Sequence, residues 1–496
     1  MARLVMILLG VDYLRTRWRG LLRMGCLSML LGVAMFVDAL DNALYFPMTP
    51  FAVVLLLEGL ATLVVARSGI GGQRTLRQVK GVSFCFAAVL ILVGHHHGNF
   101  VLSMIFGTLF LADGLLQIVS ARVVRFRTWR LAVAVGVFEI LVAIFFYQPY
   151  PTHYVGTVPY CLGLGLIFGG WNMLLLASRL RRLDRNPGMD EADGVPAAAA
   201  QATDRAAAAG SADAPDLTIW DGPPEPGEHA LTVHVWTPVG SARGEARRQP
   251  LVDRYIAAVD RDGAISTGHA ALESPEGIYI SLYPAEEIDR SPDEFTRILR
   301  ATRENDVGGK FQPDYPTEAR AWCPSTVRVR IRNYDPERLR RFWDAYRQNT
   351  TYNLTNRNCS STVSHALEAA LEGASARVWR QARGWRPLWR LLTTPELWVA
   401  AQIRKRAKTM AWTPGLTLDY ARALSMLADP RPSGWASMTR MALGQMRRHR
   451  QDWRQAARAQ AGKAGVPGDG PVAGGIDAAN VGNAGNAGSV RQAAND

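Results

Sequence analysis

Six apolar segments crowd the first 180 positions of this 496-residue chain, at roughly 21–37, 49–66, 81–95, 100–121, 131–147 and 158–178. Each comes near the ~20 residues that a helix needs to cross ~30 Å of hydrocarbon, the shorter ones being long enough if their ends snorkel. The spacing predicts an all-α six-helix transmembrane bundle over residues 1–182. The opening stretch "MARLVMILLG" is too short to span, and no small-residue cleavage site sets it apart, so no cleaved signal peptide is expected.

The even-numbered segments resemble one another: "LLLEGLATLVVAR", "LFLADGLLQIVSAR" and "LIFGGWNMLLLASR". Placing Glu58-Gly59 over Asp113-Gly114 over Gly169-Gly170 brings Arg67, Arg122 and Arg179 nearly into register. The period is one helical hairpin, used three times, which implies internal pseudo-symmetry. Arginine and lysine fill alternate loops: Arg15, Arg17, Arg19 and Arg23, then Arg74, Arg77 and Lys80, then Arg122, Arg125, Arg127 and Arg130, then Arg179, Arg181 and Arg182. The other loops contain neither residue. This positive-inside pattern predicts both termini on the cytoplasmic side. Glu58, Asp113 and Glu139 lie within the apolar spans, where a charge is expensive and turned inward. They read either as a proton or ion path or as carboxyls that fasten one hairpin to the next.

This three-hairpin pattern with its acidic-Gly signature resembles the HdeD-type acid-resistance membrane proteins over residues 15–182. The resemblance implies a multi-pass protein of the bacterial inner membrane, linked in some members to acid stress. His95, His96, His97 and His153 fall in the Arg-free loops and read as pH-sensing groups or as ordinary loop histidines.

Residues 183–228 and 462–496 are rich in Ala, Gly, Pro and Asp and poor in large apolar residues, so they read as a flexible linker and a disordered tail. Between them order resumes. "HALTVHVWTPVG" reads as a strand; "GAISTGHAALE" and "GIYISLYP" read as a hairpin turning at "SPEG"; "ARAWCPSTVRVRIRNY" supplies another strand or two. "DPERLRRFWDAYRQN" has an Asp start and helical spacing. In "YNLTNRNCSSTVSHALEAAL", Val363, Ala366, Leu367, Ala370 and Leu371 line one helix face, which puts Cys359 in the first turn.

The five cysteines show no metal-site or disulfide spacing. Cys359 alone stands at a helix start, where unpaired N–H groups favour a thiolate and can hold an oxyanion. The alternative is a small buried residue. A catalytic thiolate needs an imidazole partner. His365 lies six residues on, about 600° of rotation away, and cannot face the sulfur. His269, on a strand, is the candidate, with His234 the fallback. Cys323 lacks a helix start and reads as structural.

The histidine strand, the strand after it and then Tyr352, Asn353, Asn358 and Cys359 opening a helix resemble the permuted papain-like fold over residues 230–373. That group includes permuted NlpC/P60-related amidases, PPPDE peptidases and lecithin–retinol acyltransferase-like enzymes. The resemblance implies a cytoplasmic α+β permuted papain-like domain at 229–373, with Cys359 as nucleophile, His269 as general base, and Asn358 with the Cys359 backbone shaping the oxyanion site. The third polar residue is missing from "GIYISLYP", so Glu273, on the His269 face by alternation, is the expected orienting acid. No cofactor and no metal are expected. The implied substrate is a peptide, amide or acyl compound, cleaved through a thioacyl intermediate or passed to an acceptor by a lipid-linked acyltransferase. A non-catalytic stress-response membrane protein is the other reading.

Residues 374–461 interleave Trp379, Trp385, Trp389, Trp398 and Trp412 with Arg and Lys. Tryptophan favours the lipid–water boundary and arginine attracts anionic lipid, so the region reads as a membrane-surface helical layer, with a plain helical extension as alternative. The formal charge of +13 raises nucleic acid as a partner. No recognition motif accompanies the basic residues, and the bilayer is the expected partner instead.

Overall fold

The computed structural model describes residues 1–40, 47–66, 72–93, 97–126, 128–185, 227–242, 244–245, 249–259, 261, 265–286, 300–378 and 384–429. His95, His96 and Trp379, most of the linker and the whole tail lie outside the described residues.

Two short helices, α1 (Ala2–Leu9) and α2 (Val11–Arg15), precede the apolar set: α3 (Trp18–Asp38), α4 (Met48–Ala66), α5 (Gly72–Val93), α6 (His97–Val124), α7 (Trp129–Tyr147) and α8 (Thr157–Arg185). Five of these, all but α4, are long and apolar enough to cross a membrane, which makes this a multi-pass membrane protein. The apolar stretch of α4, Met48–Val64, is shorter. The helices pack in pairs, α4 on α5, α6 on α7, and α3 back on α8. Glycines set each crossing. A β-carbon on Gly81 would stand 2.9 Å from Gly59 O, one on Gly136 2.8 Å from Gly114 O, and one on Gly170 2.6 Å from Gly25 O. Side chains there would force the backbones apart. In lipid, where apolar area gives no net drive, such close approach is what holds helices together.

The later region is α+β. In chain order it contains β1 (Leu231–Trp236), α9 (Pro238–Ser241), α10 (Pro250–Tyr255), β2 (Ala258–Val259), β3 (Ile265–Ser266), β4 (His269–Glu273), β5 (Tyr279–Ile280), β6 (Leu282–Pro284), β7 (Val307–Phe311), α11 (Tyr315–Ala321), β8 (Val327–Ile331), α12 (Pro336–Tyr346), β9 (Thr351–Tyr352), α13 (Cys359–Ala370), α14 (Ala374–Val378), α15 (Arg386–Thr393), α16 (Pro395–Thr409) and α17 (Pro414–Ala428). The main sheet runs β5-β4-β1-β8, a smaller one β6-β7-β9, and β2-β3 form a ribbon. All the pairings are antiparallel. The β4–β5 turn closes through Gly277 N–H to Ser274 O, with Gly277 at φ 84°, a conformation glycine adopts without steric cost.

Alternation divides the main sheet. Val233, Val235, Ala270, Leu272, Ile280, Val329 and Ile331 enter one large core with Val363, Ala366, Leu367 and Ala370 of α13 and Leu418, Tyr420 and Leu424 of α17. Trp236, Ala271 and Tyr279 face the other way, toward Tyr315 and Trp322 at the ends of α11.

The large core does not respect the domain limits expected from sequence. Leu4, Val5, Leu8, Leu9 and Leu14 belong to it, as do Leu176, Ala177 and Leu180 of α8. The N-terminal helices are therefore a wedge between bundle and sheet region, tied by Gly373 N–H to Ile7 O at 2.7 Å and by Tyr13 Oη–H to Gly384 O at 2.6 Å. The Trp-rich region is likewise divided. Trp389 and Trp398 are about half exposed, at 50% and 52%, whereas Trp412 is buried and α17 packs on α13 and β1 as core.

Candidate active site

Cys359 is the first residue of α13. The helix starts there because Asn358 caps it in a reciprocal box: Asn358 Oδ1 accepts from Ser361 N–H at 2.8 Å, and Ser361 Oγ accepts from Asn358 N–H at 2.8 Å. The turn before it is fixed by Asn353, fully buried, which donates to Asp306 Oδ1 at 2.8 Å and accepts from Thr355 N–H at 3.1 Å.

His269 opens β4 and stands beside Cys359, near enough for imidazole and thiol to perturb one another. Its Nε2 lies 2.9 Å from Ser281 Oγ and 3.2 Å from Glu318 Oε1, so Nδ1 is the ring nitrogen left for the thiol. The ring stacks on Tyr283, with centroids 4.1 Å apart. Glu318 is 3% exposed on α11 and accepts from Tyr279 Oη–H at 2.5 Å and Tyr283 Oη–H at 2.7 Å. The arrangement is a sulfur, an imidazole and a carboxylate in series, with two tyrosines fixing the carboxylate.

The electrostatics agree from both partners. Burial alone would raise the Cys359 thiol, but the His269 imidazolium, helped by the Ser360 hydroxyl and the Ala270 amide, holds it below its ordinary value. Burial would likewise depress His269, yet the Cys359 thiolate and the Glu318 carboxylate lift it above the usual imidazole range. The pair therefore favours thiolate and imidazolium together.

Two of the expected roles are corrected. Glu273 does not reach His269. It shares the face, but four residues along a strand is about 13 Å, and its Oε2 instead meets His234 Nε2 at 2.9 Å. The acid beside His269 is Glu318. Asn358 is not an oxyanion donor either. Its amide hydrogens go to Leu354 O at 2.7 Å and Trp412 O at 2.8 Å, and its oxygen to the cap, so the side chain has no donor left.

The fallback, His234, is committed elsewhere: Nδ1 lies 3.1 Å from Ser325 Oγ, and its ring stacks on Tyr315. Cys323 carries structure through its carbonyl, which accepts from Trp236 Nε1 at 2.7 Å. Glu318 was missed because the strand run "ARAWCPSTVRVRIRNY" starts one residue after it, at Ala319, and no element was assigned to the residues just before. The signal for the α11 helix was present in "DYPTEARA": Asp314 as cap, taking Thr317 N–H at 2.7 Å, then Pro316 and an acid in the first turn.

His365 faces the other side of α13. Burial, opposed by Glu368 and reinforced by Lys408, Arg404 and Arg3, pushes it down to about 4. An imidazole neutral in the fold but protonated in the unfolded chain contributes stability that is full above its ordinary 6.5 and is lost as pH falls toward about 4. The loss amounts to about 3 kcal/mol. Thermal unfolding at stepped pH should show this acid limb in the wild type and a flatter one in His365→Leu; an unchanged limb in the variant contradicts the assignment.

Among the described residues no cluster of His, Cys, Asp and Glu could hold a metal ion. Set against family models, curated proteins and solved structures, the chain matches none.

Proposed function

We propose that this protein is a membrane-anchored cysteine hydrolase that cleaves an amide or related acyl bond through a thioacyl intermediate. The observation that carries the reading is the Cys359–His269–Glu318 series, with the sulfur on the first turn of a helix. The Cys359 thiolate attacks the acyl carbon and forms a C–S bond. The carbonyl electrons move to oxygen, where the amides of Cys359 and Ser360 are the donors in reach, since those of Ser361 and Thr362 already bond to Asn358. His269 then gives its Nδ1 proton to the leaving nitrogen as the C–N bond breaks. Water, deprotonated by His269, attacks the thioacyl carbon; the C–S bond breaks and the thiolate returns with release of a carboxylic acid. Glu318 holds the imidazole through Nε2 throughout.

The finer membrane reading belongs to the same proposal. At ~1.5 Å per residue α4 reaches roughly 28 Å, enough to make a sixth span, and the glycine crossing that recurs in the α4–α5, α6–α7 and α3–α8 pairs supports a threefold repeat like that of HdeD-type proteins. The arginine-rich ends of α3, α6 and α8 support cytoplasmic termini in an inner membrane.

The test is alkylation of the full-length protein by iodoacetamide, mapped to Cys359 by mass spectrometry. Labelling should begin well below pH 9 and reach a plateau. In His269→Ala the thiolate fraction at pH 7 should drop to a few per cent, slowing alkylation about thirtyfold, and Cys359→Ala should abolish labelling by an acyl-based activity probe. Unchanged alkylation in His269→Ala would sink the hydrolase.

A further inference from the structure

Glu58 and Asp113 each stand one residue before a crossing glycine, Gly59 and Gly114. In the α4–α5 pair the carboxylate is matched internally, Glu58 Oε1 lying 3.1 Å from Lys80 Nζ, and Lys80 stands just before Gly81. In the α6–α7 pair the residue just before Gly136 is Val135, which cannot supply a cation. Asp113 is matched from outside the bundle. Lys405 Nζ lies 2.9 Å from Asp113 Oδ2 and 3.5 Å from Glu139 Oε1, and the Arg406 guanidinium binds the other Asp113 oxygen.

Both cations come from α16, and the residue before them points elsewhere. Arg404 forms a two-point bond with Glu368 of α13, Nε to Oε1 at 2.7 Å and Nη2 to Oε2 at 2.9 Å. Residues 404 and 406 are about 200° apart around a helix, so α16 clasps the bundle with one face and the cysteine helix with the other. The chain just after α16 holds the opposite end of that helix: Trp412 O accepts from Asn358 Nδ2 at 2.8 Å, and Thr417 Oγ1 donates to Ser360 O at 3.3 Å. The cap that places Cys359 therefore leans on a segment whose anchor is a pair of intramembrane carboxylates.

We infer that Asp113 and Glu139 are positioning residues for the Cys359 site, acting on it through α16. The inference rests on reading Cys359 as the nucleophile. Neutralising Asp113 takes from Arg406 its carboxylate at the bundle and leaves Lys405 only the longer contact with Glu139, so α16 shifts, and the Trp412 and Thr417 contacts carry that shift to the cap beside His269. The sulfur then moves relative to the imidazole.

The experiment is the pH profile of Cys359 alkylation in the full-length protein held in lipid nanodiscs. Asp113→Asn should move the rise of the profile to higher pH and slow alkylation at pH 7 by about fivefold or more. Asp113→Glu, which keeps the charge, should restore the wild-type profile. Glu58→Gln, which breaks the equivalent pair within its own hairpin, should leave it unchanged. An Asp113→Asn profile that superimposes on wild type overturns the inference, as does an equal shift in Glu58→Gln. Alkylation is readable whether or not any substrate turns over. A normal profile in His269→Ala removes the hydrolase reading, whereas a normal profile in Asp113→Asn beside a slowed His269→Ala removes only the coupling.

Discussion

Replacing Glu318 with alanine should lower turnover at Cys359 by between about 10²- and 10⁴-fold, the upper end being the cost of losing the orienting carboxylate in a Ser-His-Asp triad. Two hydrogen bonds, from Tyr279 and Tyr283, and the ion pair with His269 converge on this carboxylate, and its side chain is 3% exposed. Without it His269 keeps only Ser281 at Nε2, and the ring can rotate away from the sulfur. The loss should appear in kcat with KM little changed, because the carboxylate touches the imidazole and no part of the substrate. Two tyrosine hydroxyls are left unpaired in the variant, so Tyr279→Phe with Tyr283→Phe serves as a separate measure of the structural share. Should Glu318→Ala fold and turn over within threefold of wild type, the series of three residues is not the catalytic unit.

Removing the Arg404 side chain should destabilise the later region by about 3–5 kcal/mol, the usual consequence of leaving one partner of a buried ion pair unmatched. The two side chains are 11% and 8% exposed, so water does not compensate the charge. Burial works to raise Glu368, but Arg404, by hydrogen bond and charge, and then His365 hold it at about 2. A carboxylate so depressed contributes stability present above its ordinary 4.5 and lost as pH falls toward about 2. Arg404→Met should therefore lower Tm sharply at neutral pH and much less at pH 3. Arg404→Met combined with Glu368→Leu should recover most of the loss, since a well-packed apolar pair replaces the ionic one. A double variant as unstable as Arg404→Met would assign the effect to packing and not to the stranded charge.

Local chemistry was legible in the sequence. The Asp335 cap of α12, the Asn358 start of α13, the "SPEG" turn and the His269 strand all follow from residue type and spacing, which act over a few neighbours. Apolar run length likewise gave the spanning helices. What was not legible depends on contacts distant in sequence. Glu273 and Glu318 are both acids near the His269 face, and only the position of α11 across the sheet selects the second. Asn358 looked like a free amide because its partner, the Trp412 carbonyl, arrives from 54 residues away. Tryptophan and arginine dominated the reading of 374–461, while the plainer "GLTLDYARALSML" of α17 turned out to be core.

The return of α3 onto α8 has a bearing on the order in which the chain can mature. Gly25 and Gly32 meet Gly170 and Gly163, so the first long helix has no mate until the last has left the ribosome. During synthesis α3 waits in lipid with its glycine groove uncovered. The wedge ahead of it, which rests on Leu176 and Leu180 of that final helix, has nowhere to sit. The sheet region, translated afterwards, thus inherits its floor only once α8 has docked on α3, so a thiol trapped beside its imidazole would report that the first and last long helices of the membrane part have met.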